Sequence, residues 1–97
     1  MGEDIILLDI KDIASFTDYF VIANGTSDRM LDGLSNAVIR GIKTQYQKNA
    51  QSEGLARTGW VLIDYGDVVV HLMSPEQRDY YRIEDLWRDG KVILHLQ

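Results

Sequence analysis

The chain has 97 residues, 45% of them hydrophobic and 26% charged, with a net charge of −5 and no cysteine. That length holds one compact domain and not two, and the composition is that of a globular rather than a disordered chain. Disulfides, thiolate metal sites and thiol nucleophiles are excluded, no apolar run reaches the ~18 residues of a membrane helix, and the negative charge opposes nonspecific attraction to phosphate backbones.

Residues 4–10 read as a buried strand bounded by acids, and 19–23, Tyr-Phe-Val-Ile-Ala, as a second strand covered on both faces. Asn24-Gly25-Thr26-Ser27 then turns the chain into a helix capped by Thr26 or Ser27. In that helix Met30, Leu34, Ala37, Val38, Gly41 and Ile42 share one face, extended by Leu31 and Tyr46. Asp28 and Asp32 near its start, with Arg40, Lys43 and Lys48 towards its end, complement the helix dipole. Residues 49–58 are polar and read as a surface loop, the segment most open to disorder.

The run from Gly59 to Glu76 carries the strongest local signal. Two β-branched runs flank a turn at Tyr65-Gly66-Asp67, which predicts a β-hairpin. Ser74 follows as a helix cap, with Pro75 in the first helical position and Gln77 placed to close a capping box. The helix spans about residues 75–87 with Tyr80, Ile83, Leu86 and Trp87 as its apolar positions, and Asp89-Gly90 stops it. Residues 91–96 offer an optional short terminal strand, which the pattern leaves unassigned. The order β-β-α-β-β-α, with an optional last strand, predicts a single α/β domain over residues 1–97. Its sheet is mixed, because the first helix makes a crossover.

Trp60 and Asp64 project from one face of their strand with Leu62 between them, while Val61 and Ile63 take the other. Such a face is either core or a docking surface. Four of the five net negative charges fall within residues 59–90, which fits a solvated acidic face or a basic partner. His71, inside an apolar strand, reads as a satisfied structural histidine. With His95 the only other histidine, and Asp64, Asp67 and His71 on opposite faces of the hairpin, no metal site is predicted.

Gly25-Thr26-Ser27 at a strand-to-helix turn has the form of a phosphate-binding or nucleotidyltransferase opening. That chemistry needs two metal-binding acids at one-residue spacing on a strand. Here Asp28 and Asp32 lie four apart on a helix, so capping explains the segment better. No serine sits in a Gly-x-Ser-x-Gly elbow. Trp60, Tyr65, Tyr80, Tyr81 and Trp87 would stack bases, yet the basic groove that accompanies stacking is missing. No catalytic residue and no cofactor is predicted, and no sequence-specific contact to nucleic acid. Met1-Gly2-Glu3-Asp4 lacks the basic opening of a signal peptide, and Ile6 stands where myristoylation requires Ser or Thr. The expectation is a soluble, cytoplasmic protein.

Residues 17–29 (Thr-Asp-Tyr-Phe-Val-Ile-Ala-Asn-Gly-Thr-Ser-Asp-Arg), residues 59–71 (Gly-Trp-Val-Leu-Ile-Asp-Tyr-Gly-Asp-Val-Val-Val-His), Arg78-Asp79-Tyr80-Tyr81 and Leu86-Trp87 together resemble the ribosomal silencing factor family, RsfS or Iojap-like. The resemblance runs from about Ile5 to Trp87. It implies a non-enzymatic protein that binds the large ribosomal subunit through its protein L-fourteen. By occupying that surface it would block subunit joining and repress translation under nutrient limitation. The implied fold is nucleotidyltransferase-like without the catalytic acids. On this resemblance Trp60 and Tyr81 are assigned as apolar anchors, and Asp64, Asp67 and Glu84 as partners for Arg or Lys. Family members usually carry a helix before the first strand, which this chain lacks, so a homodimer could supply cover for an open sheet face. The alternatives are a nucleotidyltransferase-like nucleotide-binding protein and an adaptor in large-subunit assembly.

Overall fold

The structure, a computed structural model, describes residues 3–87 and 89–96, without the side chains of Glu3, Glu84 and Leu86. Six strands form one sheet: β1 (Glu3–Asp9), β2 (Tyr19–Asn24), β3 (Gln51–Glu53), β4 (Trp60–Asp64), β5 (Val68–Met73) and β6 (Lys91–Leu96). Among the described residues three α-helices accompany it: α1 (Asp28–Tyr46), α2 (Pro75–Tyr81) and α3 (Ile83–Leu86). The spatial order is β3-β4-β5-β2-β1-β6. The β2–β5 pair is parallel and the other four are antiparallel, so the sheet is mixed as the crossover predicts. No described helix is long and apolar enough to cross a membrane.

The apolar alternation of the strands makes two cores. On one face Ala23, Val61, Ile63, Val70 and Leu72 pack beneath Leu31 of α1. On the other Ile6, Leu8, Phe20, Ile22, Val69 and Met73 pack beneath Ile83, joined by Trp60, Leu62 and Trp87. Helix α1 lies over β4, β5 and the 3-10 turn Ala56–Thr58. Ser27 is its cap, its Oγ accepting from the Met30 amide at 3.1 Å.

Four local readings need correction. The inner row of α1 is Leu31, Leu34, Ser35, Val38 and Ile39, whereas Ala37 and Gly41 face solvent. The helix is rotated because Leu31 is drawn under Gly25, where an added Cβ would stand 2.7 Å from Leu31 Cδ2. Within 49–58, read as a loop, Gln51–Glu53 pairs with β4 as an edge strand. All three residues are exposed, so the strand carries no apolar alternation to betray it. The helix expected over 75–87 breaks at Arg82, which adopts left-handed backbone at φ 48° and receives no Gly or Asn signal. The capping box closes on one side only. Ser74 Oγ accepts from the Gln77 amide at 3.2 Å, but the Gln77 side chain donates to the Thr58 carbonyl at 3.0 Å instead of returning to Ser74. The Ser74 amide is satisfied by the Gly59 carbonyl at 2.8 Å.

Candidate docking face

Strand parity delivers Trp60 and Leu62 from β4 and Val69, His71 and Met73 from β5 to the same side of the sheet, with Trp60 opposite Met73 and Leu62 opposite His71. Phe20 of β2 joins them opposite Val69. Helix α2 is anchored over this side by Arg78, 4% exposed. Its guanidinium donates to the Asn24 side-chain oxygen at 2.9 Å and to the Asp4 carbonyl, and lies 3.6 Å from the Asp4 carboxylate. A charge is tolerated at that depth because both strands supply oxygen partners. The clamp fixes the last turn of α2, and Tyr81 comes to rest 5.0 Å, centroid to centroid, from Trp60.

The result is a continuous aromatic ridge. From Phe16 it passes to Trp87 at 5.7 Å, to Phe20 at 5.6 Å, to His71 at 4.7 Å, to Trp60 at 5.9 Å and through Tyr81 to Tyr80 at 4.9 Å. Its middle is buried and its ends are open: His71 is 5% exposed, Tyr81 47%, Phe16 58% and Tyr80 78%. Tilted and edge-to-face rings at these separations attract one another, so the ridge is held in shape while leaving contact area uncovered.

His71 is more than filler. Its Nδ1 accepts the Trp60 indole N–H at 3.2 Å. An accepting Nδ1 carries no proton, so the ring is the neutral Nε2–H form. Burial among rings pushes its pKa down to about 4. Nε2 is buried and has no hydrogen-bond partner among the described residues, so the ring is half satisfied. The expectation of a satisfied core histidine is corrected accordingly, because one of its two ring nitrogens is left without a partner among the described residues.

The acids assigned with Trp60 separate. Asp64 is exposed at the end of β4, where Oδ1 accepts from the Gly66 amide at 2.7 Å and fixes the hairpin turn. Asp67 pairs with Lys48 at 2.9 Å, and this pair holds its carboxyl below the usual range. It borders an apolar groove lined by Val38, Ile42 and Tyr46 of α1, with Val68 and Val70 of β5. The Glu84 side chain lies outside the described residues. The structure therefore brings Trp60 and Tyr81 into contact, sets Asp64 at the other end of β4 from Trp60, and places Asp67 by the α1 groove. Asp79 and Asp85 add exposed negative charge on α2 and α3, bridged by Arg82 at 3.7 and 3.8 Å. Sequence reasoning missed the Arg78 clamp and the Trp60–His71 bond. The only available signal was the position of Trp60 and His71 on alternating residues of adjacent strands.

At the Gly25-Thr26-Ser27 turn, Ser27 caps α1 and the Thr26 hydroxyl lies 3.4 Å from Met30 Sδ. Asp28 and Asp32 stand exposed on α1. His95 meets Asp4 Oδ1 at 2.6 Å on the β6 side. Among the described residues no three His, Asp or Glu side chains converge as metal ligands would.

The whole chain, residues 1–97, matches the family model described as "Ribosomal silencing factor during starvation". It is 42% identical over 95 residues to the ribosomal silencing factor RsfS of Bacillus subtilis, covering 94% of this chain and 77% of that protein. It is 34% identical over 89 residues to the mouse "Mitochondrial assembly of ribosomal large subunit protein 1", covering 89% of this chain and 39% of that one. A crystal structure from Chromobacterium violaceum superposes with a TM-score of 0.85 at 43% identity, covering 90% of this chain and 72% of that one.

Proposed function

The chain belongs to the ribosomal silencing factor family, and from that premise we propose that it docks on the large ribosomal subunit through protein L-fourteen and keeps the small subunit from joining. It works by occupancy, without catalysis, in the cytoplasm, and represses translation when nutrients are limiting. What supports this reading is the half-open aromatic ridge ending in Tyr81 and Tyr80, with exposed Asp79 and Asp85 on the adjoining helices and exposed Asp64 at the far end of β4. Exposed aromatics supply contact area at low entropic cost. The acids steer towards a basic ribosomal protein and away from bare RNA. Trp60 and Tyr81 are the apolar anchors, and Asp64, Asp67 and Glu84 the partners for Arg or Lys.

Sedimentation with purified large and small subunits tests it. The protein should travel with the large particle, reduce subunit joining, and be released progressively as salt rises. Undiminished joining with the protein bound, or no binding at all, would sink the proposal. The name of the mouse relative favours a second reading, an adaptor in large-subunit assembly; binding without an effect on joining would support it.

The same reading includes self-association. Edge strand β6 exposes Val92, Ile93, Leu94 and Leu96, and a second copy would cover them. Sedimentation equilibrium of the free protein decides between monomer and dimer.

A further inference from the structure

We infer that His71 is a positioning residue: it holds the Trp60 indole in its docking orientation by accepting the indole N–H on Nδ1. This rests on the docking role given above to Trp60. Four observations carry it. The bond, at 3.2 Å, runs between side chains of adjacent strands, diagonally across the β4–β5 ladder. Trp60 is only half-buried, so packing alone leaves its ring freedom to turn about its side-chain torsions, and a directional bond removes that freedom. The acceptor is itself immobile, 5% exposed and stacked edge-on against Phe20 at 4.7 Å. The indole is also met by Tyr81, at 5.0 Å between centroids, so the ring is held by one polar and one aromatic contact.

The arrangement also explains why a polar ring occupies a strand whose neighbours are Val69, Val70, Leu72 and Met73. A leucine there would fill the space and remove the desolvation cost of the imidazole. It would also remove the acceptor that, among the described residues, fixes the indole. Because the acceptor is Nδ1, asparagine mimics it: its side-chain oxygen stands about as far from the backbone as Nδ1 does. The two replacements therefore pull stability and binding in opposite directions. Leucine favours the strand and the core, and asparagine disfavours both while keeping the acceptor.

The test compares wild type, His71→Leu, His71→Asn, Trp60→Ala and His71→Leu combined with Trp60→Ala. Affinity for purified large subunits is measured together with the indole N–H resonance of Trp60 in a nitrogen-15 proton correlation spectrum. His71→Leu should weaken binding roughly fivefold, the value of one lost hydrogen bond. It should also shift the Trp60 indole signal towards that of a free indole. His71→Asn should be less stable to urea yet bind better than His71→Leu. In the Trp60→Ala background, His71→Leu should add no further loss. Additive losses, a binding order that follows stability, or an unmoved indole signal would overturn the assignment. If wild type itself fails to bind subunits, the docking proposal falls. The indole signal in His71→Leu then still decides whether His71 holds the ring.

Discussion

The two faces of the sheet are built from the same strands and to opposite ends. Beneath α1 the side chains are aliphatic, Val61, Ile63, Val70 and Leu72, and they lie under a helix of 19 residues. On the other face an aromatic row of Trp60, His71, Phe20 and Trp87 runs among aliphatic side chains such as Ile6, Leu8 and Ile22. The cover there is two short helices of 7 and 4 residues, broken at Arg82. An aliphatic layer under a long helix buries area with no polar cost and maximises stability. An aromatic row under a short, clamped helix leaves ring edges uncovered and polar atoms to be matched. On the docking proposed above, the first face serves the fold alone, and the second serves both the fold and the partner.

Substitutions on each face separate the two roles. Ile63, fully buried, should lose about 3–4 kcal/mol of stability on change to alanine, read from urea denaturation. The fraction still folded should bind large subunits normally. If binding per folded molecule drops, the division between faces is wrong.

Acid strikes the aromatic face next. His71 titrates near 4 in the fold against the ordinary 6.5 when unfolded. Between these values the unfolded chain takes up a proton that the folded chain refuses, so stability falls as pH drops through the window from 6.5 to about 4. It is unaffected by this residue above that window and levels off below it. The loss amounts to ~3 kcal/mol across the window. His71→Leu should flatten that part of the pH–stability curve, and an unchanged slope would contradict a neutral buried imidazole.

Tyr81, 47% exposed, should behave in the reverse sense to Ile63. Tyr81→Ala should cost ~2 kcal/mol of subunit affinity and under ~1 kcal/mol of folding stability. Smallest of all is the Lys48–Asp67 pair, which is exposed and belongs to the α1 side. Lys48→Ala should leave the thermal midpoint essentially where it is. If it strengthens binding, Asp67 is a partner contact that Lys48 competes for; if it has no effect, Asp67 is a surface ion pair.

Much of this was legible in the chain. The hairpin, the Ser27 and Ser74 caps, the crossover and the sharing of one face by Trp60 and Leu62 all follow from patterns within a few residues. What was not legible depends on distant partners. The polar strand β3 exists because β4 offers it a ladder. The break at Arg82 is made tolerable by packing of Ile83 and Trp87, with no turn residue to announce it. The contact of Tyr81 with Trp60 needs the Arg78 clamp, whose oxygens come from Asp4 and Asn24 at the far end of the chain.

The parallel pairing of β2 with β5 carries a kinetic consequence. The β4–β5 hairpin closes over a tight turn and is free to form in microseconds. β2 cannot meet β5 until the intervening chain from Asn24 to Val68, α1 included, has looped back. The centre of the sheet is therefore assembled after one of its flanks, and folding speed is set by that long closure rather than by any single helix or turn. Substitutions that stiffen α1 should leave the rate nearly untouched, while shortening the stretch around β3 should accelerate it.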